Sequence, residues 1–314
     1  MNYKNFFIHV LTVCTILCIP CVACSDEKEL NPREPLHKSQ TRNSGRIIFS
    51  SYMGGNWQIW SIDPEGRNLT QLTNTEQELH YPACSPDGHR IACASNERDI
   101  WVIKTGNKPQ KLQNLPSNCN HPAWSPNEDK IAFVCYTFDN RKEDSDIWIA
   151  DLKKGRAWKL MKLDNIQSFP AWSPDGKHIV FTSGYRVSSI KIIEALWLVN
   201  SDGTNPRPLI SDEFYNIQPA WSPDGKNIAF ATSRSGNMEI WVVDRDGKNA
   251  RQLTFDKSYD ADPSWSPDGT KMCFTSTRSG QMGIWVMDSD GKSPRQLTEL
   301  SGSQAESMHP FWHN

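Results

Sequence analysis

Gln218-Pro-Ala-Trp-Ser-Pro-Asp-Gly225 is one copy of a phrase that recurs along the chain. The others are Tyr81-Pro-Ala-Cys-Ser-Pro-Asp-Gly88, His121-Pro-Ala-Trp-Ser-Pro-Asn127, Phe169-Pro-Ala-Trp-Ser-Pro-Asp-Gly176 and Asp262-Pro-Ser-Trp-Ser-Pro-Asp-Gly269. A shortened sixth copy, His309-Pro-Phe-Trp312, lies near the C-terminus. Between the copies runs a second phrase, an apolar residue before Trp: Ile59-Trp60, Ile100-Trp101, Ile147-Trp148, Leu196-Trp197, Ile240-Trp241 and Ile284-Trp285. Eleven of the 13 Trp residues fall in these phrases, so the Trp content belongs to the repeat and not to a binding site. Self-similarity at a period of roughly 45 residues marks an architecture of stacked or ring-arranged units.

Each unit reads as four short strands. In Ser-Pro-Asp-Gly, Pro fixes φ for a type I turn and Gly takes the left-handed position that closes a hairpin. Then follow a β-rich second strand (226–232), a third (240–244) ended by Asp246-Gly247, and a short fourth (251–254). The ends complement each other. Gly45-Arg-Ile-Ile-Phe-Ser50 is a second strand without a first, and His309–Trp312 is a first strand without a second. Pairing them closes the ring and removes the open sheet edge. The expectation is an all-β, six-bladed propeller of four-stranded antiparallel blades over 45–314, with 309–312 completing the N-terminal blade.

The repeated phrase, with Ile-Trp-Val and Asp-Gly, resembles the TolB-type propeller repeat (the PD40 or WD40-like kind). That resemblance implies an envelope role, such as contact with a peptidoglycan-associated lipoprotein. TolB proteins carry a small α/β domain ahead of the propeller, where this chain has a polar stretch.

Residues 1–23 combine an early Lys4, an apolar run from Phe6 to Val22 and small residues at its end, the pattern of an export signal. Cys21-Val-Ala-Cys24 resembles the lipobox of bacterial lipoproteins, which implies lipidation of Cys24; Cys21 stands where Leu is usual. Ordinary cleavage nearby and an uncleaved anchor are the alternatives. Residues 24–44 are polar and read as a flexible tether. The chain is thus expected to be lipid-anchored in the bacterial envelope, facing the periplasm or the surface.

The 34 basic and 36 acidic side chains give a net charge of −2, without the basic footprint of a nucleic-acid binder. The Gly-x-Ser-x-Gly and His-Glu-x-x-His motifs are missing from the sequence. The first-to-third-strand spacing varies (17, 24, 25, 20 and 20 residues), whereas other spacings hold. The variation falls in the loop between second and third strands, so 136–145 and 184–195 are expected to wall one face. Tyr136, Arg141, Lys142, Glu143, Tyr185 and Arg186 are the loop candidates there.

The residue before each Pro should sit near the channel mouth: Tyr81, His121, Phe169, Gln218, Asp262 and His309. The reading preferred from the sequence is a non-catalytic, monomeric binding propeller that engages an envelope protein or glycan on that face, with no cofactor. The alternative is a metal-dependent carbohydrate-active enzyme resembling oligosaccharide lyases, its divalent ion held by Gln218, Asp262 and His309.

Asp244–Gly247 and Asp288–Gly291 resemble calcium-loop starts but fit hairpin turns, and Arg234 and Arg278 fit polar loops better than phosphate contacts. Cys84 and Cys93 lie in neighbouring strands, a placement compatible with a disulfide, and Cys119 with Cys135 is similarly open.

Overall fold

The structure is a computed structural model and describes residues 45–53, 55–104, 107–139, 142–186, 192–299 and 305–314. Cys24 and Arg141 lie outside the described residues, as do the export segment and tether.

The described chain forms 24 strands in six four-stranded sheets. The first sheet holds β1 (Arg46–Ser51), β2 (Gln58–Ile62) and β3 (Thr70–Gln71). The second holds β4 (Leu79–Cys84), β5 (Arg90–Ser95), β6 (Ile100–Lys104) and β7 (Gln110–Lys111), and the third β8 (Cys119–Trp124), β9 (Lys130–Asp139), β10 (Lys142–Asp151) and β11 (Arg156–Lys159). Next come β12 (Ile166–Trp172), β13 (His178–Arg186), β14 (Ile192–Asn200) and β15 (Arg207–Ile210) in the fourth. The fifth has β16 (Asn216–Trp221), β17 (Asn227–Thr232), β18 (Glu239–Asp244) and β19 (Arg251–Gln252), and the sixth β20 (Asp260–Trp265), β21 (Lys271–Ser276), β22 (Gly283–Asp288) and β23 (Arg295–Gln296). The last strand, β24 (Ser307–His313), returns to the first sheet as the inner neighbour of β1, with Ile47 opposite Trp312 and Ser51 opposite Ser307. The ring is closed as its two half-blades require.

The Ser-Pro-Asp-Gly phrase folds the same way in four blades. In the second blade Ser85 Oγ donates to Asp87 Oδ1 at 2.5 Å, Arg90 N–H donates to Ser85 Oγ at 3.0 Å, and Gly88 N–H donates to Ser85 O at 2.8 Å. Gly88 sits at φ +75°, a conformation that L side chains resist. The third blade lacks that Gly, and Glu128 takes the left-handed slot at φ 59°. Its carboxylate meets Arg90 of the preceding blade at 2.9 Å, which in turn lies 4.5 Å from the Trp124 ring.

Packing between blades repeats as well. Phe49, Phe133, Phe181, Phe230 and Phe274 are fully buried, each opposite the third-strand Trp of its own blade. In the second blade Cys93 fills this slot opposite Trp101. Cys84 lies opposite Ile91, so Cys84 and Cys93 are separate buried thiols and not a disulfide. Cys119 and Cys135 are directly opposed across β8 and β9 and are bonded. Other blades fill that position with hydrogen-bonding pairs: Asn216 Oδ1 accepts from Thr232 Oγ1 at 2.9 Å, and the Ser51 and Ser307 hydroxyls meet at 2.8 Å.

The two long connections are extended β-hairpins and not loops. Pairing of β9 with β10 continues to Asp139 opposite Lys142, and that of β13 with β14 to Arg186 opposite Ile192. Tyr136 lies in β9, Lys142 and Glu143 in β10, and Tyr185 and Arg186 in β13. Tyr136 packs against the core shared by the third and fourth blades, 5.4 Å from the Arg98 guanidinium. In the second blade β5 and β6 are joined by a four-residue turn, which leaves a step beside the β9–β10 hairpin.

Asp244–Gly247 and Asp288–Gly291 are hairpin turns, with Gly247 N–H donating to Asp244 O and Gly291 N–H to Asp288 O, both at 2.8 Å. Arg234 meets Asp212 at 3.2 Å and lies 4.9 Å from the Trp241 ring; Arg278 meets Asp260 at 2.5 Å and lies 5.3 Å from the Phe274 ring. Both arginines brace their own blades.

Candidate functional site

Every inner strand carries the same irregularity at the residue before Pro. Tyr81, His121, Phe169, Gln218, Asp262 and His309 all have φ between 49° and 55°, and the register shifts there in each blade. Pro lacks an N–H, so a bulge beside it gives up less of the ladder than it would elsewhere. Six non-glycine residues in the left-handed region are unusual, and each lies on the innermost strand of its sheet, paired with the second strand alone. All six side chains line the central channel.

They form its floor. From them a funnel of about 580 Å³ runs along Pro-Ala-Trp-Ser-Pro to the Ser-Pro turns, the end opposite the β9–β10 and β13–β14 hairpins. Its wall is small and apolar: Ala83, Ala123, Ala171 and Ala220, with Ser264 and Phe311 in the remaining positions. Asp262 is its one acidic side chain, and neither Lys nor Arg lines it. Beyond the wall, the turn residues Asp87, Asp175, Asp224 and Asp268 are exposed carboxylates. Each accepts a hydrogen bond from its own turn Ser, which lowers its pKa.

The floor has two halves. On one, Tyr81 packs between His309 (tilted, 4.0 Å between centroids) and His121 (edge-on, 4.4 Å), and His121 meets Phe169 at 4.1 Å. On the other, Gln218 Nε2 donates to Asp262 Oδ1, Asp262 N–H donates to Gln218 Oε1 at 3.2 Å, and Thr275 Oγ1 donates to Asp262 Oδ2 at 3.0 Å. Burial pushes both His121 and His309 down to about 3, so both are neutral at pH 7, and raises Asp262 to about 6. Neither ring nitrogen of His121 has a partner, nor has Nδ1 of His309. Among the described residues, no three His, Cys, Asp or Glu gather closely enough to hold one metal ion. The sequence reading grouped these six residues but set them at the channel mouth on the face of the long connections; they lie instead at the inner end of a funnel that opens on the opposite, Ser-Pro-turn face. Their shared bulge left no trace in residue type beyond the following Pro.

The family of TolB beta propeller domains matches residues 40–189 and 196–311. The chain belongs to that family. Its similarity to the Tol-Pal system protein TolB of Francisella tularensis subsp. holarctica is 29% identity over 179 residues, 54% of this chain and 40% of that protein. A protein TolB homolog of Chlorobium chlorochromatii is 34% identical over 146 residues, 44% of this chain and 31% of that protein. The alignments thus span less than half the length of these curated relatives. The crystal structure of TolB from Acinetobacter baumannii superposes with a TM-score of 0.70 at 22% identity, over 86% of this chain and 66% of that one. An oligogalacturonate lyase in complex with manganese superposes with a TM-score of 0.60 at 16% identity, over 83% of this chain and 76% of that one. At these identities the structural likenesses speak for the fold alone.

Proposed function

We propose that this TolB-family propeller is a non-catalytic binding module of the bacterial cell envelope that receives a segment of a partner protein in its funnel. The observation that carries the reading is a wide, largely apolar funnel whose floor is lined by the few polar side chains of His121, Gln218, Asp262 and His309. Such a cavity has the chemistry of a recognition pocket, mostly apolar with a few placed polar groups. The floor imidazoles are poor bases at neutral pH, and burial pushes the Cys84 thiol up to about 12, far from a reactive thiolate. The Tol-Pal setting of the relatives supports an envelope location and a protein partner.

Lipidation of Cys24 would tether the module. The described chain starts at Gly45, packed against the C-terminal His313, and His313 lines the funnel. Replacing Cys24 by Ser should move the protein from the membrane to the soluble fraction.

The test of binding is crosslinking capture from native envelopes. Ala123→Arg, which fills the funnel wall, should abolish recovery of the partner, while shortening the β9–β10 hairpin should not. Loss only on hairpin shortening would place binding on the opposite face, and recovery of glycan alone would replace the protein partner.

A further inference from the structure

Five of the six boundaries between blades pack the same two large side chains, a Phe from a second strand and a Trp from an inner strand. Phe133 with Trp124 and Phe274 with Trp265 are examples. The boundary between the first and second blades has Cys93 and Cys84 in those two positions. Its core is Ile59, Leu79, Cys93 and Ile103, with Ile91 and Trp101 at the edge. Trp124 and Trp265 also donate from Nε1 to Ala83 O and Ala220 O across their boundaries, a bond that a thiol in the same place does not reproduce. Ser50, opposite Ile59 on the face turned to the second blade, is fully buried and its hydroxyl has no partner. The outer end is thin as well. From Trp101 to Leu112 the chain runs 11 residues, against 12 between the corresponding Trp and Leu of the other blades. Leu72 is 37% exposed there, whereas Leu160, Leu253 and Leu297 are buried, each against a turn glycine of the next blade.

We infer that the boundary between the first and second blades is the seam at which the ring opens. A region with few buried apolar contacts opens at a lower free energy than the whole molecule unfolds. Two Cys side chains bury far less apolar surface than a Phe and a Trp, and a hydroxyl buried without a partner weakens the boundary further. On the other side of the first blade, Phe49, Leu297 and Trp312 fill the boundary with the sixth, and Trp312 N–H donates to Ser264 Oγ at 3.0 Å. Opening at the seam leaves β24 paired with β1, so the sheet that closes the ring stays whole. Tyr81 of the second blade and His309 of the first meet across the seam, 4.0 Å between ring centroids. Opening parts these two floor residues and widens the funnel at its narrow end, without unfolding the blades.

The chain carries its own reporters. Cys84 and Cys93 face the seam, and Cys273 lies in the core on the other side of the first blade; all three are buried and unbonded. The test is alkylation of the full chain in urea below its unfolding transition, read by peptide mass spectrometry. Each rate is divided by that of the same Cys in the unfolded chain. Without urea all three should stay protected. As urea rises, Cys93 should label about tenfold faster than Cys273 or more, with a shallower dependence on urea, because less surface is exposed in the opening. Cys84 should follow Cys93. Phe230→Leu, in the boundary between the fourth and fifth blades, should speed Cys273 and leave Cys93 unchanged, since that boundary stays intact when the seam opens. Should that variant fail to fold, the comparison of Cys93 with Cys273 in the unmodified chain still decides. Equal rates with equal urea dependence would mean that only global unfolding exposes either thiol, and would overturn the seam. Faster labelling of Cys273, or equal acceleration of both thiols in Phe230→Leu, would overturn it too.

Discussion

Gln218 and Asp262 are joined twice across the boundary between the fifth and sixth blades, side-chain amide to carboxylate and backbone N–H to side-chain carbonyl. Both occupy left-handed bulges, so each holds the other in a conformation that neither favours alone. The pairing explains why Asp262 has an amide neighbour and no cation. The amide neutralises part of its hydrogen-bonding demand and leaves its charge uncompensated.

Gln218→Glu should therefore be destabilising in a pH-dependent way. It removes the donor to Asp262 and places a second carboxylate beside it, at an expected loss of roughly 2–4 kcal/mol near pH 8. Asp262 already sits at about 6, and the new neighbour raises the pair further. A carboxyl whose folded pKa is raised stabilises the protein only when protonated, so much of the loss should be recovered near pH 5. Urea unfolding at the two pH values measures this, and an equal loss at both would contradict the clasp.

Histidine burial gives an opposing trend. His80, His121 and His309 are each held down to about 3 from 6.5, chiefly by burial. Neutral imidazoles then contribute stability that is present above pH 6.5 and lost as pH falls toward 3. Asp262 at about 6, with Glu194 and Glu239 at about 7, contributes stability that grows as pH falls through those values to the ordinary carboxyl range. The two sets offset each other between about pH 6.5 and 4.5, so stability should be nearly level there. Below about pH 4 only the imidazoles and the lowered turn carboxylates still respond, both unfavourably, and stability should drop steeply. His121→Phe should reduce proton uptake on unfolding near pH 4.5 by about one, since the folded imidazole at about 3 is still neutral there and the unfolded one is charged. An unchanged slope would mean that His121 is protonated in the folded state.

The propeller, its blade count and its closure were legible because they rest on residues that cannot easily be exchanged. Pro and Gly set the turns, Trp fills one slot per blade, and the two half-blades fit only each other. The floor residues were legible for the same reason, through the fixed Pro that follows each one. Their burial was not, because a bulge is a property of paired strands and not of a residue type. The long connections read as loops because their compositions, Lys142-Glu-Asp-Ser145 for example, are polar; cross-strand pairing to Asp139 and Arg186 overrode that local signal. The cysteines illustrate the limit most plainly. Cys84 and Cys93 lie nine residues apart in adjacent strands yet face different partners, whereas Cys119 and Cys135 fall in register.

That register has a measurable consequence. Replacing Cys119 and Cys135 together by Ser should cost about 2–4 kcal/mol, by the loop-closure argument for a disulfide of this separation. Cys84, Cys93 and Cys273 are buried thiols whose pKa values burial raises, so they should react with a thiol reagent only after denaturation. Rapid native labelling of any of the three would refute their placement.

Closure of the ring supplies the last test. Trp312 is 5% exposed and packs with Ile47, Phe49, Ile284 and Leu297, a core made jointly by the first and sixth blades. Its backbone N–H also donates to Ser264 Oγ of the sixth blade at 3.0 Å. Trp312→Ala should lose roughly 3–5 kcal/mol through the cavity it leaves, without touching the funnel floor. Removing 307–314 does more: it strips β1 of its inner partner, exposes an unpaired edge at the channel and takes from the sixth blade the strand that packs against it on the first-blade side. The shortened chain should unfold at lower temperature with a broader transition and elute as an expanded or associating species. A sharp transition at the original temperature would show that the ring is held by contacts other than the final strand.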